Sequence, residues 1–572
     1  MNAERLLAHY ERIADAPDAI ARLRRFILDL AVRGKLVPQD PQDEPASELL
    51  KRIAKEKTRI AKAGAIRKEK PLPAIELDEV PYDAPRGWEW VRIRKVTSDR
   101  GQAVPDRDFT YIDVTAINKE VGCIEDAKVT SASEAPSRAR KVVRKDDVLY
   151  SCVRPYLLNI AIVETEFSPS PIASTAFAVL NGFGFVQPRY QWIVLRSPFM
   201  VACVEEKMRG QAYPAINDSD FALLPFPLPP LAEQHRIVAK VDELMAFCDR
   251  LEAARAGREA VRDRLAAASL ARLNAPDPDT FQDDARFALA TLHALTTRPE
   301  QIKQLRQTIL NLAVRGKLVL QDPNDEPASE LLKRTAKEVA AYSKANGIAQ
   351  THPELIADDD LPFTAPRGWH WTRLCALFKV ITDGDHQPPP KADEGVAFLT
   401  IGNITTGRLD FSGCRLVPNA YFQSLAPYRT PAKGDILYTV VGATYGRPAV
   451  VEVDRDFCVQ RHIAILKPVA AMDLRFLVWL LASPLIYDQA ARSTTGTAQP
   501  TIALRPLRNF TASLPPLAEQ HRIVAKVDAL MVLCDRLEAS LIDAGASRRR
   551  LLDALLAETL APGKERELEA AE

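Results

Sequence analysis

The 572-residue chain lacks any apolar run of about 18 residues, so no membrane-crossing helix is expected. Residues 1–10 are already polar and helix-like, not signal-type. Its eight cysteines include no C-x-x-C pair, which speaks against a thiol metal centre and leads us to expect a reducing cytoplasm. Charge of one sign is missing too: 76 Lys/Arg stand against 75 Asp/Glu, so any polyanion-binding surface must be a local patch. There is no G-x-x-x-x-G-K-[ST] phosphate loop, no H-E-x-x-H, and no Asp/Asn-Pro-Pro-aromatic tetrapeptide of amino-methyltransferases. The carboxylates never gather with a lysine in a nuclease-like constellation. These absences describe a chain that binds; no catalytic residue and no metal ligand is assigned.

What is present is present twice. LPPLAEQHRIVAKVD runs from Leu228 to Asp242 and again from Leu514 to Asp528 without one change. Each copy opens with Pro-Pro, which suits the entry to a helix, and continues free of proline over 231–275 and 517–561, about 60 Å of helix. Apolar residues follow at alternating spacings of three and four: Ile237, Val241, Leu244, Cys248 and Leu251, then Ile523, Val527, Leu530, Cys534, Leu537 and Leu541. The stripes break at Arg255 and Arg258 and at Arg548. So long a stripe requires a partner helix, and the other copy is the expected one. Ile237, Val241, Leu244 and Leu251, with Ile523, Val527, Leu530 and Leu537, are therefore expected to carry helix pairing and partner docking. His235 and His521 sit in the same stretch and are read as structural, as Cys248 and Cys534 are read as small apolar residues.

A second repeat lies upstream, at Leu23–Arg52 and Leu305–Arg334, each with a helix ending at a glycine (Gly34, Gly316) suited to the left-handed C′ position. A third matches APRGWEWVRI at 84–93 with APRGWHWTRL at 365–374. Two tandem copies of about 282 residues result. Their arms match, while the lobes between them have diverged. The lobes read as α+β, with strands over Phe109–Ile117, Asp147–Val153, Thr175–Leu180, Val396–Ile404, Asp435–Val441 and Ile463–Leu466, and helices near Gln191–Met208 and Leu474–Ala491. Weak repeats survive inside them: DDVLYS (146–151) with GDILYT (434–439), and GQAYPAI (210–216) with GTAQPTI (496–502). The expected boundaries are 1–80 and 229–345 and 514–572 for helical arms, with lobes at 81–228 and 346–513.

Polar and basic lobe loops are the nucleic-acid candidates. In the first lobe these are Arg138, Arg140, Lys141, Arg144 and Lys145, then Arg154 and Tyr156, then Arg209, Gln211 and Tyr213. In the second they are His386 and Gln387, then Thr444, Tyr445 and Arg447, then Arg492, Thr494, Thr495 and Gln499, whose groups can bond bases or phosphates. Residues 361–514 carry 16 Lys/Arg against 11 Asp/Glu, whereas 81–230 balances at 18 and 18, so contact with double-stranded DNA is favoured modestly.

LPPLAEQHRIVAKVD, LAVRGKLV and GDILYT together resemble the specificity subunits of type I restriction-modification systems, over nearly the whole chain. The resemblance implies two target-recognition domains separated by long helices that form an antiparallel coiled coil, with internal two-fold pseudo-symmetry. Each domain would read one half of a split, asymmetric target, and the helices would set the distance. It also implies two modification (methyltransferase) subunits and restriction (translocase/endonuclease) subunits as partners, with S-adenosylmethionine, ATP and magnesium on those partners and no cofactor here. The chain itself would be non-catalytic. A self-sufficient DNA-modifying or DNA-cleaving enzyme would need a motif that is missing, and salt-dependent binding of duplex DNA by the intact complex would remove the alternative of a coiled-coil scaffold without DNA binding.

Overall fold

The structure, a computed structural model, describes residues 15–63, 71–211, 213–349, 352–385, 389–405, 407–496 and 499–560. The chain gathers into two compact units, residues 1–258 with 545–572, and residues 259–544. Two helices of 44 residues, Leu231–Asn274 and Leu517–Leu560, dominate the arms, within a residue of the expected spans. The unit limits fall inside these helices, close to the arginine breaks in their apolar stripes.

Within the first unit the helix Ala19–Val32 receives two long-helix segments. Arg24 pairs with Asp249 (2.7 Å) and Glu252 (2.8 Å), while Arg22 pairs with Asp553 and Arg549 lies 3.9 Å from Asp18. The second unit repeats this on Pro299–Val314. Arg306 pairs with Asp535 and Glu538, both at 2.7 Å, while Arg298 pairs with Asp263 and Asn311 donates to the Asn274 carbonyl (2.9 Å). Residues 263 to 274 thus rise with 298 to 311, whereas Asp535 meets Arg306 and Asp325 meets Arg522 in descending order. Within the second unit the two long-helix segments therefore run antiparallel.

The near half of each stripe seats on its own repeat, not on the other copy as the spacing alone suggested. Ile237, Val241 and Cys248 are buried in one cluster with Ile27, Leu28, Trp88 and Tyr190, and Leu244 packs at its edge. Ile523, Val527 and Cys534 are buried with Ile309, Leu310 and Trp369, with Leu530 and Leu537 at the edge. Leu251 is half-buried. The reason is that the upstream helix of the same repeat and the lobe already present enough apolar surface to cover that half of the stripe.

The fifteen repeated residues form a clamp on the preceding segments. The Trp88 indole donates to the buried Glu233 carboxylate (2.9 Å), and Trp369 does the same to Glu519 (2.9 Å). Gln321 is a second donor to Glu519 (3.2 Å). Gln234 and Gln520 accept from the backbone N–H of Gln187 (2.9 Å) and Asp473 (3.2 Å). Arg236 pairs with Asp43 (2.5 Å) and Arg522 with Asp325 (2.6 Å), while Asp242 and Asp528 take Arg189 and Arg475. Gly34 has φ +64°, and a Cβ there would lie 2.7 Å from Pro85; Gly316 is alike, with φ +65° and 2.5 Å to Pro366. Backbone and neighbour both demand glycine.

Each lobe is closed at its base by a two-stranded ribbon: Glu89–Arg92 with Pro225–Leu228, and His370–Arg373 with Thr511–Leu514. Above it, the strand Val148–Ser151 sends Val148 and Tyr150 into the arm-facing core and Leu149 into a distal one; Ile436–Thr439 divides Ile436 and Tyr438 from Leu437 likewise. Burial on both faces explains why these runs are continuously apolar. In the distal sheet of the first lobe, Phe109–Ile112 pairs in parallel with Pro171–Ser174; in the second, Val396–Leu399 pairs in parallel with Phe457–Val459. Two expected strands, Phe109–Ile117 and Val396–Ile404, are shorter than predicted, because 3₁₀ turns follow at Val114–Ala116 and Ile401–Asn403, while Ile463–Leu466 extends to Pro468. The lobe helices are each two, Pro188–Arg196 and Pro198–Lys207, then Leu474–Ala482 and Pro484–Ser493. A Ser-Pro step ends one helix and starts the next in both, as proline lacks the donor an interior turn needs.

Burial raises the carboxyl pKa of Glu233 and of Glu519 above the ordinary 4.5, despite their indole partners. A raised carboxylate favours the folded state most below its ordinary value and loses that advantage as pH rises through the folded one. Replacing both by glutamine keeps an acceptor for each indole and removes the cost of a buried charge. Calorimetric melting at pH 8 should therefore show the double variant as stable as the parent or more so, with a smaller difference near pH 4. Glu233→Ala, which strands the indole N–H, should cost about 1–3 kcal/mol.

Candidate nucleic-acid interface

The two weak repeats inside the lobes turn out to be neighbours in space. In the first lobe the Arg154 N–H donates to the Pro214 carbonyl (2.8 Å), Ile216 to Cys152 (3.0 Å), and Arg209 and Ala215 bond each other twice at 2.9 Å. In the second, Gly442 donates to Pro500 (2.9 Å), Ile502 to Val440 (2.8 Å), and Thr495 and Thr501 bond each other twice at 3.0 Å. One backbone frame, built twice, presents two loop tips side by side.

The tips differ in the side chains that could contact a ligand. In the first lobe the Arg154 guanidinium lies 4.8 Å above the Tyr213 ring, and Tyr213 is 69% exposed. Tyr156, Leu157 and Gln211 are exposed beside them, while Arg209 leans on Asp220 (3.4 Å). In the second lobe Tyr445 stacks on Tyr487 (centroids 5.6 Å apart, planes 7° apart). The Thr444 carbonyl accepts the Thr439 hydroxyl (2.7 Å), and Arg447 donates to the Thr405 carbonyl. Arg492, Thr495 and Gln499 are exposed, and the Thr494 hydroxyl returns to the Ala491 carbonyl (2.9 Å). Sequence reasoning missed Tyr487, because in the apolar context of its helix it reads as core. His386 and Gln387 lie outside the described residues.

The basic run of the first lobe divides. Arg138, Arg144 and Lys145 are exposed on either side of the strand Ala139–Val142, and Arg140 is half-buried, donating to the Ala139 carbonyl (2.9 Å). Lys141 is not a phosphate contact: its side chain is 4% exposed and its ammonium sits between Asp99 (2.8 Å) and Asp218 (2.7 Å). Burial opposes its charge, but the two carboxylates outweigh that and raise its pKa. Strand alternation points it inward while its neighbours point out. Arg429 stands six residues before Asp435 as Lys141 stands six before Asp147, and it pairs with Asp383 (3.0 Å). Cys152 lies 3.7 Å from Asp218, and burial pushes its pKa up to about 12, so it remains a thiol.

Two loop positions carry a conformational cost. Arg154 and Leu158 have φ +48° and +54°, where the corresponding residues of the second lobe are Gly442 and Gly446 with φ +85° and +84°. Left-handed backbone costs a non-glycine residue about 1–2 kcal/mol.

Lys141→Met should destabilise the first lobe by about 1–3 kcal/mol, below the range for fully buried pairs because Asp218 keeps 47% of its side chain in solvent. Arg144→Ala and Lys145→Ala should leave melting within about 0.5 kcal/mol. Each should flatten the slope of log affinity for duplex DNA against log salt by about 0.9 if it meets a phosphate.

Comparison with known proteins follows the same division of the chain. Residues 179–257 and 393–544 match the family described as type I restriction modification DNA specificity domain. The EcoAI specificity subunit of Escherichia coli is 32% identical over 560 residues, covering 94% of this chain and 93% of that one. The EcoEI specificity subunit of the same organism is 31% identical over 559 residues, again covering 94% and 93%. A crystal structure of the HsdS subunit from Thermoanaerobacter tengcongensis shares 28% identity, covering 84% of this chain and 97% of that one, with a TM-score of 0.43. No helix among the described residues is long and apolar enough to cross a membrane. With 94% of its length matched by curated relatives and its doubled motif accounted for by one clamp built twice, the chain belongs to the family of type I restriction enzyme specificity subunits.

Proposed function

We propose that the chain reads a split, asymmetric DNA sequence, one half with each lobe, for a complex in the cytoplasm whose other subunits do the chemistry. The observation that carries this is the pair of loops hydrogen-bonded alike in each lobe, with Arg154, Tyr156 and Tyr213 at the tips of one and Gly442, Thr444 and Gln499 in their places in the other. A frame that is kept while its tips vary is what two independent readers of unlike sequences require. Exposed tyrosines and arginines at those tips supply stacking and bidentate donors. The matched arms provide the same docking surface twice, which suits two copies of one modification subunit, through which restriction subunits join. S-adenosylmethionine, ATP and magnesium belong on those partners.

The paired entry and exit strands make each lobe a separable insert. Exchanging residues 93–224 for the first lobe of another family member should change one half of the methylated sequence and leave the other intact. Changes in both halves, or in neither, would contradict independent reading.

We also assign the distance between the halves to the long helices. An insertion after Ala268 would lie between the Asp263–Arg298 and Asn274–Asn311 contacts and tear them. Lengthening belongs instead where both helices pass between units, after Arg258 and after Ala544 together. Four residues at each place add ~6 Å and turn ~40° beyond a full turn, so the unread gap should grow by about one or two base pairs of ~3.4 Å. The bases read should stay the same. An unchanged gap with full activity would show that the lobes set the distance.

A further inference from the structure

We infer that Arg154 reads a guanine in the half-site of the first lobe, and that Tyr213 is the platform that aims it. This rests on the DNA-reading role proposed above and names a base contact within it. Four observations converge on the residue. Its backbone is held left-handed at φ +48°, at a loop position where the second lobe has Gly442. A residue that only needed to turn the chain would be glycine there too, so the side chain is what the position retains. Its N–H is fixed to the Pro214 carbonyl at 2.8 Å, which ties it to the loop that carries Tyr213. Its guanidinium lies 4.8 Å above that exposed ring, and no carboxylate pairs with it among the described residues. By contrast Arg100, Arg189, Arg196 and Arg209 of the same lobe are each spent on a carboxylate or a carbonyl.

An arginine held over an aromatic ring by cation–π attraction keeps its planar fork of donors free for a ligand. That fork matches the O6 and N7 acceptors of guanine in the major groove, which take two parallel hydrogen bonds. Stacking removes rotamer freedom before binding, so less is lost when the contact forms. The second lobe, with glycine at this place and a Tyr445–Tyr487 stack nearby, must read its half-site by other groups.

The test uses the chain assembled with its modification subunit. Binding is measured to duplexes carrying the motif methylated by the unaltered complex, and to duplexes with each first-half guanine replaced in turn. Arg154→Gly should keep or raise the melting temperature, because the left-handed strain is relieved. It should lose roughly 10- to 100-fold in discrimination at one guanine and none at the second half-site. Arg154→Lys should not restore the discrimination, since a point charge lacks the fork. Tyr213→Phe should retain it and Tyr213→Ala should weaken it. Equal weakening on every duplex would mark Arg154 as a phosphate contact and overturn the inference, as would an unchanged preference. If the unaltered complex itself shows no sequence preference, the proposed DNA-reading role fails instead.

Discussion

A buried indole donating to a buried carboxylate, made once in each repeat, holds the rest of the molecule in place. Trp88 on Glu233 and Trp369 on Glu519 join the start of each lobe to the start of a long helix. Around each bond, the flanking glutamine fastens a lobe loop, the flanking arginine fastens the segment after the upstream helix, and the apolar residues one turn on enter the core. A carboxylate carries a desolvation cost in such a place that its partners offset only in part, and here the indoles and Gln321 that partner it come from other repeated motifs. This is why the three repeated stretches match together: each supplies the partner of another.

The clamp also explains why the lobes were free to diverge. Entry and exit strands pair at the lobe base, so the arms meet the same ribbon whatever lies above it. Farther up, the bonds that tie the two loops to each other join backbone groups, and backbone bonds place few demands on side-chain identity. Left-handed positions in that frame accept glycine at no cost, or another residue at a cost worth bearing where its side chain acts.

Much of this was legible in the chain itself. The long helices could be bounded because proline fixes their starts and a three-four apolar stripe marks their length. The loop pair was marked by two weak repeats, though nothing in the sequence said they were neighbours. Three things were not legible. The stripe gave no sign that its near half seats on the upstream helix, because a stripe records that a face is covered and not by what. Lys141 looked like its exposed neighbours, and only strand alternation with two distant aspartates turns it inward. Tyr487 was hidden in an apolar helix, and its role depends on a partner 42 residues away.

The most direct measurement is methylation sequencing of a host that carries this chain with its modification subunit. Two unlike half-sequences separated by a gap of fixed length and free composition are the expected result. A palindromic or continuous methylated sequence would contradict two diverged lobes reading separately from matched arms.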